Sequence, residues 1–458
     1  MGHRRRSGIV PLIAVVATLL CPAGPAAAAE DPVIVAAGDI GDCATTGDEA
    51  TAVLLDGIPG TVAALGDIAY PNGTAANFRD CYAPTWGRHR PRTRPAVGNH
   101  EYKTTSAATP YFDYFGSAAG PRGKGWYSYD LGAWHVVVLN SNCAFVGGCG
   151  PSSAQVTWLK ADLAANAGDH VLAYFHHPRY SSGKHGNEGD VQTLWEVLYA
   201  AGAELVLNGH DHHYERFAPQ DPWGRADAPF GIRAFVVGTG GTAPRPKTRN
   251  VPNSEVFSAT HGVLKLTLRA DGYDWAFVPI AGKTFTDAGS GTTHGQPPPR
   301  TRRTFTATGD TWVDQAHSTR NFGHATTLVI DGDTGNSLDA HGYVKVKVRD
   351  TTGVIDRAAL RLWVTDASRD GPTVAPTTTS WLPNAMTWRT RAPTTGPVVS
   401  DMGATAAGGW VELDVTPLVR QTGTFGFVLR PTSSDGLDVS SNQGAHPPHL
   451  VVDTLQAP

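Results

Sequence analysis

The stretch 208–216 reads N-G-H-D-H-H-Y-E-R and follows the apolar run 203–207. Gly209 lets the chain turn sharply at the end of a buried strand, so the imidazoles of His210 and His212 converge at the strand's carboxyl edge, where ligands of α/β sheets sit. That is a metal-site geometry, and the competing reading is a solvated histidine-rich turn. Four more apolar runs end in chemistry-capable residues. Val33–Ala37 ends in Gly38-Asp39, Thr61–Leu65 in Gly66-Asp67, 95–97 in Gly98-Asn99-His100-Glu101, and 171–175 in His176-His177-Pro178. A single Gly-Asp pair is an ordinary turn. Five such ends in order place carboxylates, an amide and imidazoles at one edge, the donor types that hard and borderline cations take.

The elements that position these ends alternate. Between the later runs, 152–165 sets Trp158, Leu159 and Leu163 on one helical face, and 190–201 does the same with Leu194, Val197 and Leu198. Strand alternating with helix argues for an α/β layered core.

The motifs Gly38-Asp39-Ile40-Gly41, Gly66-Asp67-Ile68-Ala69-Tyr70, Gly98-Asn99-His100-Glu101, His176-His177-Pro178 and Gly209-His210-Asp211-His212 resemble, in order, the five motifs of calcineurin-like metallophosphoesterases, and the purple acid phosphatase branch in particular. The resemblance covers about 31–280, including Gly238-Thr239-Gly240-Gly241. It implies an αββα four-layer sandwich holding two cations. By resemblance Asp67 bridges the pair, Asp39, Tyr70 and His212 complete one metal, and Asn99, His176 and His210 complete the other. Tyr70 is the informative ligand. A phenol titrates at about 10 in water, so a phenolate ligand needs a strongly acidic cation, and ferric iron is one. The implied centre is Fe(III) with a divalent ion, Fe, Zn or Mn, whose net positive charge suits a phosphate dianion. The implied reaction is in-line attack of a metal-held hydroxide on phosphorus. His100 resembles the family's phosphate-contacting histidine, and His185, in the loop 181–186, is the candidate acid for the leaving alkoxide. His177 and His213 flank ligands and are read as packing residues; Glu101 and Arg216 are read as orienting loops.

Length and composition set the frame. A chain of 458 residues with 41% apolar and 17% charged residues is globular, with roughly two or three domains. Residues 1–29 carry a basic start (His3-Arg4-Arg5-Arg6), an apolar stretch over 9–20 and small residues ending at Ala29, the order of a cleaved signal peptide. Secretion and no membrane insertion are expected. Without Arg4, Arg5 and Arg6, Lys plus Arg falls from 37 to 34 against 41 Asp plus Glu, a net charge of −7 that gives nucleic-acid binding no support. In an oxidising compartment Cys43, Cys81, Cys143 and Cys149 favour two disulfides out of three connectivities. Cys143 and Cys149 bracket a Gly-rich loop, which leaves Cys43 with Cys81 as the preferred pairing.

The catalytic domain is expected over 30–281. Residues 282–303, rich in Gly, Ser, Thr and Pro, read as a linker. Residues 304–458 show short alternating strands and suggest an all-β jelly-roll domain. Through Asp310-Thr311-Trp312-Val313-Asp314, Asn321-Phe322-Gly323, 359–364 and Met386-Thr387-Trp388 this half is similar to DNRLRE-type carbohydrate-binding modules, and it departs from them at Val346-Lys347. The resemblance implies polysaccharide or cell wall as a partner beside the phosphate ester substrate; a module that only spaces or solubilises is the competing reading. The expected function is a secreted phosphatase acting on phosphate monoesters. The alternatives are a phosphodiesterase using the same site, and a surface glycan-binding protein with a weakly active phosphoesterase domain.

Overall fold

The computed structural model describes residues 1–2, 30–332 and 339–455, so nearly all of the expected leader, 3–29, lies outside the described residues. The chain separates into two compact units, Met1–Gln296 and Pro297–Pro458.

In the first unit β1 (Val33–Ala37) and β2 (Thr61–Leu65) are short apolar runs, and β3 (Thr93–Ala96) joins them, all paired in parallel. The helix Gly47–Gly57 crosses from β1 to β2 and packs Ala52 and Leu55 inward. Next come β4 (Tyr127–Leu131), β5 (Trp134–Val138), β6 (His170–Tyr174), β7 (Ala203–Asn208), β8 (Tyr214–Phe217), β9 (Arg233–Val237) and β10 (Ser254–Ser258). The antiparallel strands β11 (Gly262–Arg269), β12 (Gly272–Pro279) and β13 (Asp287–Thr292) follow. They form two sheets, ordered β13-β12-β11-β1-β2-β3 and β10-β8-β9-β7-β6-β5-β4.

Side-chain alternation explains the layering. On β5, β6 and β7, Val136, Val138, Leu172, Tyr174, Leu205 and Leu207 join Leu264 and Leu266 of the other sheet in one core. The intervening Val137, Val171, Ala173 and Val206 face the other way, onto Leu159 and Leu163 of the helix Ala154–Ala165 and Leu194 and Leu198 of the helix Gln192–Ala200. The two sheets therefore pack face to face with helices outside, the α/β order expected. Ser153 caps the first of those helices, its side chain accepting from Val156 N at 3.3 Å.

The five donor-bearing runs divide between the two sheets of the expected sandwich: β1, β2 and β3 belong to one and β6 and β7 to the other. Their carboxyl edges meet, with Gly38 N donating to Val237 O at 2.8 Å and Gly240 N to Gly38 O at 2.9 Å. The segment 282–303 is not a free linker, because β13 pairs with β12 along Gly272–Pro279 and a long strand of the second unit starts at Arg300. Both disulfides are present as preferred, Cys43–Cys81 and Cys143–Cys149.

The second unit is all β. Its strand Arg300–Asp314 pairs with His449–Leu455 over its first half and with Ala340–Val348 over its second, shifting register between Ala307 and Gly309, so one segment links the two sets of strands. Arg300 lies opposite Leu455. Leu360, Leu362, Val344, Val346, Phe427, Leu450 and Val452 fill the core. Among the described residues no helix is long and apolar enough to cross a membrane.

Candidate metal centre

Three residues that end the strands sit in left-handed backbone, Asp39 at φ 59°, Asp67 at φ 49° and His210 at φ 72°. Side chains that are not glycine rarely adopt this conformation, and it is held only where surrounding bonds fix it. Here they do. Asp39 N donates to Gly66 O at 3.0 Å, His210 N to Asp39 Oδ2 at 2.8 Å and Ile40 N to Asp67 O at 2.9 Å. The sharp turns throw the carboxylates and the imidazole into the gap between the sheet edges.

All seven expected ligands meet there. The Tyr70 hydroxyl lies 2.7 Å from Asp39 Oδ1, 3.0 Å from Asp67 Oδ2 and 3.3 Å from His212 Nε2. Asn99 Oδ1 lies 3.1 Å from both His176 Nε2 and His210 Nδ1, and His176 Nε2 is 3.2 Å from Asp67 Oδ2. Asp67 thus faces both groups of donors. The second nitrogen of two imidazoles is engaged behind the site: His176 Nδ1 at 2.9 Å from Leu65 O, and His212 Nδ1 at 3.2 Å from Ala243 O. Such bonds fix the tautomer and aim Nε2 inward.

Electrostatics favour cations. Asp39 and Asp67 are buried, and among the described residues neither pairs with a lysine or arginine. Burial pushes the Asp39 carboxyl up to about 7. Burial alone would lower His176, yet the Asp67 and Asp39 carboxylates pull it up to about 9. Burial and the same two carboxylates hold the Tyr70 phenol well above its usual range. Only a strongly acidic cation displaces that proton. The donor set therefore fits the expected binuclear centre.

Neighbours of the ligands do the positioning. Buried Glu101 accepts from Gly98 N at 2.8 Å, Asp67 N at 3.1 Å, Ile68 N at 2.8 Å and Ala69 N at 3.3 Å, tying the turns after β2 and β3 together. His100 N donates to Asp67 Oδ1 at 2.7 Å, and its ring sits 4.2 Å from that of Tyr70. His185 is exposed at the mouth, its ring 4.4 Å from that of His210. Burial of its inner part, and Arg245 beside it, lower its pKa. His177 contacts more than packing neighbours, with a nitrogen grouped with those of His176 and His210 and Nδ1 2.8 Å from Ser141 Oγ. His213 does pack, bonding Glu215 Oε2 at 3.1 Å and stacking on Phe257. Arg216 is remote, holding Asp287 at 2.7 Å.

Sequence reasoning missed two residues. Asp211 accepts from Ser181 Oγ, from His185 N at 3.0 Å and from Gly186 N at 3.2 Å, and so shapes the 181–186 loop. Its place between two ligand histidines was the available signal. Arg245 puts Nη1 3.1 Å from His185 Nε2, and no sequence pattern marks it.

Comparison with known proteins matches the segment that carries these residues. Residues 32–214 match the family model described as calcineurin-like phosphoesterase. The first unit carries a calcineurin-like phosphoesterase domain. The chain is 29% identical over 244 residues to purple acid phosphatase 15 of Arabidopsis thaliana, covering 45% of this chain and 44% of that protein. It is 31% identical over 157 residues to purple acid phosphatase 18 of the same plant, covering 31% and 35%. The chain thus spans less than half the length of these curated relatives. Among solved structures, a purple acid phosphatase from yellow lupin seeds aligns with a TM-score of 0.49 at 19% identity, covering 57% of this chain and 54% of the other. Residues 301–454 match carbohydrate-binding module family 96.

Proposed function

We propose that the phosphoesterase domain hydrolyses phosphate monoesters at a binuclear centre of Fe(III) with a divalent ion, in a protein secreted through its 1–29 leader. The observation that carries the reading is the Tyr70 hydroxyl, within 3.3 Å of Asp39, Asp67 and His212 together. Asp39, Asp67, Tyr70 and His212 would hold one ion, and Asp67, Asn99, His176 and His210 the other. Bound there, the ions supply Lewis acidity toward phosphate oxygens and activate the attacking water.

The chain's own residues do the rest. The His100 backbone N–H holds Asp67 Oδ1, which leaves Oδ2 for Tyr70 and His176. The His100 ring, its Nδ1 2.6 Å from Pro71 O and its Nε2 3.7 Å from Asp67 Oδ2, would meet a phosphate oxygen. His185 stands at the mouth, where a leaving alkoxide departs, and is the group to protonate it. The second unit's match to a carbohydrate-binding module supports a polysaccharide partner that keeps the enzyme near its substrate.

The test is a visible spectrum and metal analysis of iron-loaded protein, with turnover of 4-nitrophenyl phosphate and bis(4-nitrophenyl) phosphate on the same sample. A tyrosinate-to-iron band lost in Tyr70→Phe, with the monoester preferred, is the expected result. A colourless, active protein carrying two divalent ions removes the iron assignment. Preference for the diester removes the monoester assignment.

A further inference from the structure

The tryptophans of the second unit are of two kinds. Trp312, Trp381 and Trp388 lie in or against its hydrophobic clusters. Trp363 and Trp410 belong to neither cluster and are half-buried. Alternation puts them elsewhere. Leu360, Leu362 and Leu413 point into the core, so Arg361, Trp363, Trp410 and Glu412 project from the outer face of the sheet. On that face the strands Val354–Asp366 and Trp410–Asp414 set Trp363 directly opposite Trp410 and Arg361 opposite Glu412.

Two imidazoles join the indoles. The Trp363 and Trp410 rings lie 5.5 Å apart between centroids, and the His446 ring stacks on Trp363 at 4.1 Å. His449 stands edge-on to Trp410 at 4.5 Å, and the Arg361 guanidinium lies over the same indole at 5.1 Å. The loop that carries His446 is held by its N donating to Ser440 Oγ at 3.2 Å. Among the described residues no hydrogen bond engages Nε1 of Trp363, Nε1 of Trp410 or either ring nitrogen of His446. The charges beside the rings are paired. Arg361 meets Glu412 at 3.1 Å, and Arg357 meets Glu412 and, at 3.5 Å, Asp453.

A half-buried aromatic cluster with unused N–H groups suits a ligand that has both apolar C–H faces and hydroxyl acceptors. A pyranose ring has both. A charged polysaccharide would call for unpaired charge of the opposite sign, and here Arg361, Arg357, Glu412 and Asp453 are already matched.

We infer that Trp363, Trp410 and His446 form a sugar-binding face of the second unit and that its ligand is a neutral glycan chain. This rests on the carbohydrate-binding reading of that unit and adds which face binds and which class of glycan it takes. Arg361 and Glu412 position the Trp410 ring and offer donor and acceptor to sugar hydroxyls at its edge.

The experiment titrates full-length protein with three neutral polymers, laminarin, xyloglucan and hydroxyethylcellulose, and with anionic polygalacturonate, by calorimetry and tryptophan fluorescence. Wild type, Trp410→Ala and His446→Ala are compared. At least one neutral polymer should bind, with quenching, and polygalacturonate should not. Trp410→Ala should weaken that binding about tenfold, the scale of one aromatic contact, and His446→Ala should weaken it by less. Both residues stand outside the core, so the unfolding transition of the second unit should barely move; if Trp410→Ala does unfold, His446→Ala carries the test. Neutral-glycan binding unchanged in both variants would overturn the inference and leave the carbohydrate-binding reading standing. Preference for polygalacturonate would overturn the neutral class. A dimer in sedimentation that Trp410→Ala dissociates would give the face to a second copy instead. Binding of none of the four polymers would remove the carbohydrate-binding reading and the inference with it.

Discussion

Glu101 shows how much of this site depends on a residue that touches no substrate. Its carboxylate is buried and accepts four backbone N–H groups from the two turns that present Asp67 and Asn99. Truncating it to alanine orphans all four donors in a place water does not reach. Glu101→Ala should lose about 3 kcal/mol or more of stability in chemical denaturation, together with metal affinity. An unchanged denaturation midpoint would show that the turns hold themselves. The candidate ligands could be picked out in the sequence because they lie at or shortly past the ends of short apolar runs, in motifs that resemble a known family. Glu101 was legible only as a neighbour. Arg245 was not legible, since its position follows from a long-range backbone bond to His212 and from a loop strapped across another loop.

At the level of elements, the short apolar runs of β1, β2, β6 and β7 came through because buried parallel strands read as continuous apolar segments. β13 did not. Its residues Asp-Ala-Gly-Ser-Gly-Thr have no apolar period and suggested a linker, yet they pair with β12, where the rings of Trp275 and Tyr273 lie over Gly289 and Gly291. A side chain at either glycine would collide with those rings, so the glycines are what the strand needs there. The loop after β1 is held differently, by the Cys43–Cys81 disulfide, which closes 38 residues and ties that loop to the helical segment Phe78–Tyr82. Replacing both cysteines by serine should cost about 4 kcal/mol on loop entropy alone. Thermal melts that coincide with wild type would show that packing already fixes the loop.

The whole molecule has two compact units, and each should report on its own perturbation. In the second, buried Asp310 accepts from Asn442 N at 2.7 Å through Oδ2, while its Oδ1 and Asn442 Oδ1 lack partners among the described residues. Burial lifts the Asp310 carboxyl from 3.8 to about 6. The folded unit therefore binds more protons than the unfolded one between those values. Stability falls as pH rises through that window, by about 3 kcal/mol at most, and is level above it. Asp310→Asn removes the charge and supplies an amide donor. In calorimetric scans at pH 7 it should raise one unfolding transition and flatten its pH dependence. Chelation should lower the other transition, which belongs to the metal-binding unit. A single transition moving under both treatments would show that the two units unfold together.

The pairing of Arg300 with Leu455 has a consequence for how such a chain is assembled over generations. The strand that opens the second unit and the strand 449–455 are hydrogen-bonded neighbours, so the unit's way in and way out lie side by side. A module with that doorway can be spliced into a surface loop of another host, or have its ends joined and a new opening cut elsewhere, without stretching its sheets.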